Sequence, residues 1–162
     1  MSNSQRRLAE LEALYRRRWP AFARVAVSIT GSVELGREAV QEGFACAIEQ
    51  REQFRGDCPL EAWVWRIVVN GARTAAERAS RESSEISSEP ESGSTNGRRL
   101  SSEVELWLRR LPERQRLAVF LRYWADLDYR AIAEVLEVEV GTVSATLSAA
   151  HQTLRRSLQE VQ

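Results

Sequence analysis

Apolar residues recur every three or four positions along most of this chain, which is the spacing of a helix with one buried face. Leu11, Leu14 and Tyr15 begin such a stripe near the N-terminus, and Phe22 and Val25 extend it. No stretch of the N-terminal half alternates with a period of two over the length of a strand. The pattern therefore predicts an all-α protein.

The helical pattern is interrupted between residues 80 and 102 by the sequence SRESSEISSEPESGSTNGRRLSS. Serine, glutamate, glycine and proline replace the apolar period there, so this stretch cannot bury a core. We predict that residues 80–102 form a flexible acidic linker joining two small helical domains, residues 1–79 and 103–162.

Turn and capping residues indicate where the helices begin and end. In a first domain of three or four helices, Gly31 is expected to end one helix and Pro59 to lie near the first turn of another. In the second domain we expect four helices. There Pro112 occupies the first turn of one helix and Asp128 is the N-cap of another.

Residues 128–158 predict a helix, a tight turn and a second helix, the arrangement of a helix-turn-helix. The outward positions of the second helix are small or uncharged: Ser144, Ala145, Thr146, Ser148, Ala149 and Gln152. No basic residue precedes Arg155 in that helix, although DNA affinity rises with the number of phosphates neutralised. The fold is typical of DNA binding, but the face lacks the usual positive charge.

Composition limits the classes of function. The 162 residues include 23 basic side chains, all arginine, and 23 acidic ones, so strong unassisted binding to nucleic acid is not expected. No apolar run approaches the ~20 residues of a membrane span, and the charged N-terminus differs from a secretory signal. We therefore expect a cytoplasmic protein without membrane insertion.

Residues suited to catalysis or metal binding are sparse. Cys46 and Cys58 form no CxxC motif and His151 is the only histidine, so we expect no metal site and no cofactor. The carboxylates are scattered, and neither a nucleophile–histidine arrangement nor a glycine-rich phosphate loop is present. We predict that the chain is not an enzyme and has no small-molecule substrate.

Four segments carry a resemblance to a known family: VQEGF at 40–44, FRGDCPLEAWVWRIVVNGAR at 54–73, LPERQRLAVFLRYWADLDYRAIAEVLEV at 111–138 and GTV at 141–143. In this order they resemble the two-domain extracytoplasmic-function (ECF) group of bacterial sigma factors. The resemblance implies a protein that binds core RNA polymerase, recognises the upstream promoter element with its second domain and melts the downstream element with its first. It also implies control by an anti-sigma protein.

In the first domain, the resemblance implies that Glu38, Gln41 and Glu42 dock on the clamp helices of the largest polymerase subunit. These residues are three and four positions apart and therefore share one helix face, opposite the apolar stripe. The alternative is an ordinary solvated face.

Two tryptophans of the first domain, Trp63 and Trp65, lie about 200° apart around a helix and cannot share one buried face. We assign Trp63 to the core and expect Trp65 to be exposed and to stack on an unpaired promoter base. Packing of Trp65 against a neighbouring helix is the alternative. The resemblance implies further contacts to the downstream promoter strand from Arg66, Asn70, Arg73 and Arg78.

In the second domain, the resemblance implies contacts to the upstream promoter element from Arg130, Thr142, Ser144, Ala145, Thr146, Ser148 and Arg155. Sites of this kind usually have glycine at the position of Glu137, which permits a left-handed turn, and serine at that of Glu139, which caps the next helix. We therefore expect a turn of different shape in this chain.

Two hypotheses follow for the chain. It is either an active sigma factor, with the polymerase supplying most of the hold on DNA, or a sigma-like adaptor whose second domain binds protein instead of promoter DNA. Exposed leucine or valine on a neutral face would favour the adaptor. A positive stripe around the recognition helix would favour the sigma factor. The residues that could form this stripe are Arg114, Arg116, Arg122, Arg130, Arg155 and Arg156.

Overall fold

The computed structural model of the chain describes residues 1–85 and 102–160, and within these ranges it contains helices and no strand. The helices are α1 (Asn3–Thr30), α2 (Val33–Glu49), α3 (Leu60–Glu85), α4 (Ser102–Arg110), α5 (Glu113–Tyr123), α6 (Tyr129–Leu136) and α7 (Val140–Gln159). The predicted all-α class is confirmed. We refer to α1–α3 as the N-terminal unit and to α4–α7 as the C-terminal unit.

The three helices of the N-terminal unit pack closely because glycines lie where they meet. A Cβ atom added at Gly36 of α2 would come within 2.6 Å of the backbone nitrogen of Val27 in α1. One added at Gly43 would come within 2.6 Å of Cγ2 of Val68 in α3. Any larger side chain at these positions would push the helices apart, so the close packing depends on glycine.

Most helix ends form as their sequences predict. Gly31 ends α1 in the left-handed conformation, at φ 72°, and the Asp128 side chain caps α6 by accepting a hydrogen bond from the backbone N–H of Ala131. Pro20 does not interrupt α1, which runs continuously from Asn3 to Thr30.

The end of α3 differs from the prediction. Residues 80–85, which we assigned to the flexible linker, form the last turns of α3. Alanine, arginine and glutamate are frequent just before this point, and their high helix propensity extends the helix beyond its last buried residue. The rest of the predicted linker up to residue 101 lies outside the described residues.

The C-terminal unit is built around α5, α6 and α7, with Leu121, Ile132 and Leu147 among its fully buried side chains. It packs against the N-terminal unit through α6, which lies on α3, and through α5, which lies on α1. Buried apolar residues of both units form one continuous core. In this structure α3 is therefore covered on more than one side.

Candidate polymerase and promoter interfaces

The three predicted docking residues lie together on the exposed side of α2. Glu38, Gln41 and Glu42 are all exposed, whereas Val40 and Phe44 are buried on the opposite side of the same helix. The Ser32 hydroxyl caps the N-terminus of α2 by accepting a hydrogen bond from the backbone N–H of Leu35 at 3.3 Å. The arrangement presents two carboxylates and one amide as a ridge, which we call the α2 ridge.

Trp65 is not exposed, and the prediction that it presents an aromatic surface to DNA is wrong. Its side chain is fully buried and stacks on Phe22 of α1, with ring centroids 3.8 Å apart and planes inclined by 18°. The indole N–H donates to Oε1 of Glu61 at 3.4 Å. Trp63 is buried as predicted and packs against Phe54, at a centroid distance of 5.1 Å.

Both tryptophans are buried because α3 carries two apolar stripes. The first stripe contains Trp63 and Ile67, which lie about 40° apart around the helix. A second set of positions, spaced by three and four residues, is equally apolar and is also buried: Ala62, Trp65, Val69 and Ala72. The sequence contains this second period, and counting it would have predicted the burial of Trp65.

The polar residues predicted to contact the downstream strand lie on α3. By the helical period, positions 66, 70 and 73 fall within about 60° of one another, whereas position 78 lies at least 80° from any of them. Asn70, Arg73 and Arg78 are exposed and Arg66 is half-buried. The structure therefore brings Arg66, Asn70 and Arg73 onto one face, which we call the α3 polar face, and leaves Arg78 to its side.

One residue of the α3 polar face is already engaged. Arg73 Nε donates to Oε1 of Glu113, in the first turn of α5, at 2.9 Å. Both side chains are about half exposed, so the ion pair lies at the surface between the two units.

The turn between α6 and α7 keeps the left-handed conformation even though it lacks glycine, so our expectation of a differently shaped turn is wrong. Glu137 adopts φ 56° and ψ 47°, and its backbone N–H donates to the carbonyl of Ala133. A residue with a Cβ atom in this conformation costs about 1 kcal/mol. At the N-terminus of α7, Glu139 makes no side-chain capping hydrogen bond.

The predicted upstream contacts are largely exposed. On α7, Thr142, Ser144, Ala145, Ser148 and Arg155 face solvent, while Thr146 is half-buried. The Thr146 hydroxyl donates to the Thr142 carbonyl at 2.7 Å, which leaves its oxygen free to accept. Arg130 on α6 is exposed as well. These residues form the α7 face.

The arginines expected to form a positive stripe do not all lie near the α7 face. Arg122 is directed to the carbonyl of Leu127, at 3.0 Å, and lies over the ring of Tyr129. Arg114 and Arg116 line grooves beside Arg73 and Glu113, at the junction of the two units. Only the remaining arginines of the set, at positions 130, 155 and 156, are left for the α7 face, and all three are exposed.

Other ionisable groups offer little chemistry among the described residues. No group of three or more histidine, cysteine, aspartate or glutamate side chains there is placed to hold a metal. Burial raises the pKa of the Cys58 thiol, and the charge of Glu134 on α6 raises it further.

None of the described helices is long and apolar enough to cross a membrane.

Comparison with known proteins assigns the family. The family model for sigma-70 region 2 matches residues 14–82, and the model for sigma-70 region 4 matches residues 102–154. The ECF RNA polymerase sigma-E factor of Haemophilus influenzae is 30% identical over 139 residues, covering 75% of this chain and 74% of that protein. The chain belongs to the ECF group of sigma factors. As a sigma factor, it binds core RNA polymerase and directs promoter recognition in transcription initiation.

Further relatives agree with this assignment. The Escherichia coli K12 ECF RNA polymerase sigma-E factor is 30% identical to this sigma factor and is covered over 73% of its length. The sigma factor RpoE of Bartonella quintana, solved in complex with the anti-sigma factor NepR, has a similar fold, with a TM-score of 0.73 over 93% of this chain and 97% of that one, at 21% identity. CnrH, solved in complex with the cytosolic domain of CnrY, aligns with a TM-score of 0.71 over 93% of this chain and 88% of that one, at 24% identity.

Proposed function

We propose that the α2 ridge is the surface through which this sigma factor docks on core RNA polymerase. Glu38, Gln41 and Glu42 are exposed together on a helix whose other side is fixed by close packing against α1 and α3. A rigid ridge of acceptor groups suits recognition of a basic partner surface, because charge complementarity steers and orients association.

We propose that the α3 polar face binds the downstream promoter strand. Arg66 and Arg73 supply positive charge and Asn70 supplies both hydrogen-bond donors and an acceptor. Arg78 contributes from the side. Trp65 has no direct part in this contact and instead fixes the position of α3 against α1.

The α7 face is proposed to read the upstream element weakly. Ser144 and Ser148 can donate to phosphate or base edges, and Ala145 can contact a thymine methyl group. Within the α7 face, exposed Arg130 and Arg155 supply the positive charge for contacts to phosphate. The adaptor hypothesis differs here, because it predicts that the α7 face binds protein and makes no contribution to promoter choice.

We propose that the N-terminal and C-terminal units are the two functional domains, with the acidic residues between them acting as a tether or passing through a polymerase channel. Because its function requires core polymerase, we place the protein in the cytoplasm. An anti-sigma protein is a further proposed partner, supported by the complexes in which the two structural neighbours were solved.

A two-variant experiment separates the proposed roles. Replacing Glu38, Gln41 and Glu42 together by alanine should weaken binding to core polymerase about tenfold or more, since these residues form one contact surface. Replacing Arg66 and Asn70 by alanine should leave core binding unchanged and lower the yield of open promoter complex. Core binding is measured by fluorescence anisotropy and strand opening by permanganate reactivity.

The control replaces Glu49 and Glu52, which are exposed at the end of α2 and in the following turn, by alanine. If the control variant loses core binding as strongly as the ridge variant, the α2 ridge is not the docking surface. If the variant at Arg66 and Asn70 loses core binding and open-complex yield by the same factor, the α3 polar face is not specific to the promoter strand.

A further inference from the structure

The side of α7 that points away from the protein is marked by five residues, which we call the α7 centre line. By the helical period they all lie within about 40° of Ala145, and the buried residues Val143, Leu147 and Ala150 lie on the opposite side of the helix. The centre line consists of Gly141, Ala145, Ala149, Gln152 and Arg156. All of these residues are exposed except Ala149, which is half-buried.

The α7 centre line carries no large apolar side chain. The large apolar residues exposed on α7 are Val140 and Leu158, and both lie about 140° from Ala145 around the helix. Up to Gln152 the centre line offers only small side chains and one amide, which are poor anchors for a protein partner. Small side chains suit a DNA groove better, because they let the helix backbone lie close to the base edges.

The side chains of the centre line can be matched to the edges of particular bases. In the major groove, adenine presents an acceptor and an amino donor side by side, and one glutamine amide such as that of Gln152 can bind both. Thymine presents a methyl group, which an alanine side chain can contact, as at Ala145 and Ala149. Each of these three side chains therefore selects an A·T pair.

Guanine is read chiefly by arginine or lysine, and the centre line has only Arg156. Measured from Ala145, Gln152 is about 10 Å farther along the helix axis and Arg156 about 16 Å. Because the major groove is about 12 Å wide, Gln152 falls within it and Arg156 reaches the phosphates at its edge. Glu139, which could accept from cytosine, lies about 120° from Ala145 and is therefore off the centre line.

Hydroxyl groups beside the centre line do not change this preference. Ser144 and Ser148 are exposed, and a serine hydroxyl both donates and accepts, so it can bind several bases or a phosphate. The Thr146 hydroxyl already donates to the Thr142 carbonyl at 2.7 Å. These groups add contacts to DNA without selecting guanine.

We propose that α7 selects A·T pairs in the upstream promoter element and specifies no guanine. Gln152 binds an adenine, and Ala145 and Ala149 contact thymine methyl groups. The inference rests on the proposed contact between the α7 face and the upstream element. It goes further because it names the bases that are selected and adds Gln152 and Ala149 to the residues that select them.

The experiment uses the holoenzyme, formed from the full chain and core polymerase, on a promoter that it transcribes from genomic DNA. The upstream element of this promoter is randomised, and the templates that yield run-off transcripts are sequenced. We expect the enriched positions to be A·T pairs. Replacing an enriched thymine by uracil, which removes only the methyl group, should lower the transcript yield about fourfold. Uracil in place of a thymine outside the enriched positions is the control and should leave the yield within about twofold.

Two glutamine variants test the adenine contact. Gln152→Ala should lower the preference for adenine at one enriched position about tenfold, because it removes a pair of hydrogen bonds to the base. Gln159→Ala is the matched control, since Gln159 is exposed on α7 about 10 Å beyond Gln152 and should not affect the preference. Both variants should bind core polymerase like the unchanged protein, as measured by fluorescence anisotropy.

Enrichment of guanine at any selected position would overturn the inference and still support the contact between α7 and the upstream element. Equal yields from thymine and uracil templates, together with an unchanged adenine preference in Gln152→Ala, would also overturn it, because the A·T pairs would then be selected without these side chains. No enrichment at any position, or no transcribed promoter, would contradict the proposed upstream contact and this inference with it.

Discussion

At the scale of single residues, Trp65 shows how a side chain suited to DNA stacking can serve the core. Its ring lies on Phe22 and its N–H reaches Glu61, which also binds Arg18. The same carboxylate therefore connects a buried aromatic residue with Arg18, which donates to the Ala125 carbonyl of the C-terminal unit. A change at Trp65 should affect the whole fold and not one step of initiation.

We predict that Trp65→Ala lowers the free energy of unfolding by about 3–5 kcal/mol, the usual cost of removing a buried tryptophan. Urea unfolding followed by circular dichroism measures this loss. Core binding and open-complex formation should fall by the same factor, since both depend on the folded fraction. A loss of open complexes with an unchanged free energy of unfolding and unchanged core binding would contradict this prediction and indicate that Trp65 contacts DNA directly.

The exposed Tyr123 is a suitable control for Trp65. It is 59% exposed, and its hydroxyl pairs with His151 at 2.9 Å. Tyr123→Ala should cost about 1 kcal/mol or less, because it removes one exposed hydrogen bond and little buried surface.

At the scale of helices, the turn before α7 is left-handed even though the residue that adopts this conformation, Glu137, is strained in it. Glu137 occupies a left-handed conformation that glycine adopts without cost, and Glu139 leaves the first N–H groups of α7 without a side-chain cap. Packing of α6 and α7 on α5 outweighs these two local costs, which is why the turn forms with this sequence.

We predict that Glu137→Gly raises the free energy of unfolding by about 0.5–1 kcal/mol, because it removes the left-handed strain. Ala145→Gly, in the regular part of α7, should lower it by about 1 kcal/mol, so the two glycine substitutions should have opposite signs. Thermal unfolding of both variants measures the difference. A destabilised Glu137→Gly protein would show that the turn is unstrained.

Much of the helical architecture could be predicted because its signals are local. The Gly31 stop, the Asp128 cap and the exposed side of α2 each depend on residues within one or two turns. The burial of Trp65 and the pairing of Arg73 with Glu113 depend on how distant helices pack, which periodicity in one helix does not specify. The sequence does not predict the end of α3 because its last turns are rich in serine like a linker, although they continue a helix that the alanine, arginine and glutamate residues before them favour.

At the scale of the whole molecule, the chain has no net charge and folds into two units that carry different proposed binding surfaces. The N-terminal unit carries the α2 ridge and the α3 polar face, and the C-terminal unit carries the weakly charged α7 face. Because the α7 face carries few positively charged side chains, we expect promoter affinity to come mainly from the assembled polymerase.

Run-off transcription with core polymerase, genomic DNA and the purified protein at low ionic strength tests the central claim most directly. We predict discrete transcripts that require this protein and are absent with core polymerase alone. Normal binding to core polymerase without any promoter-specific transcript would contradict the account, because the chain would then be an adaptor and not an active sigma factor.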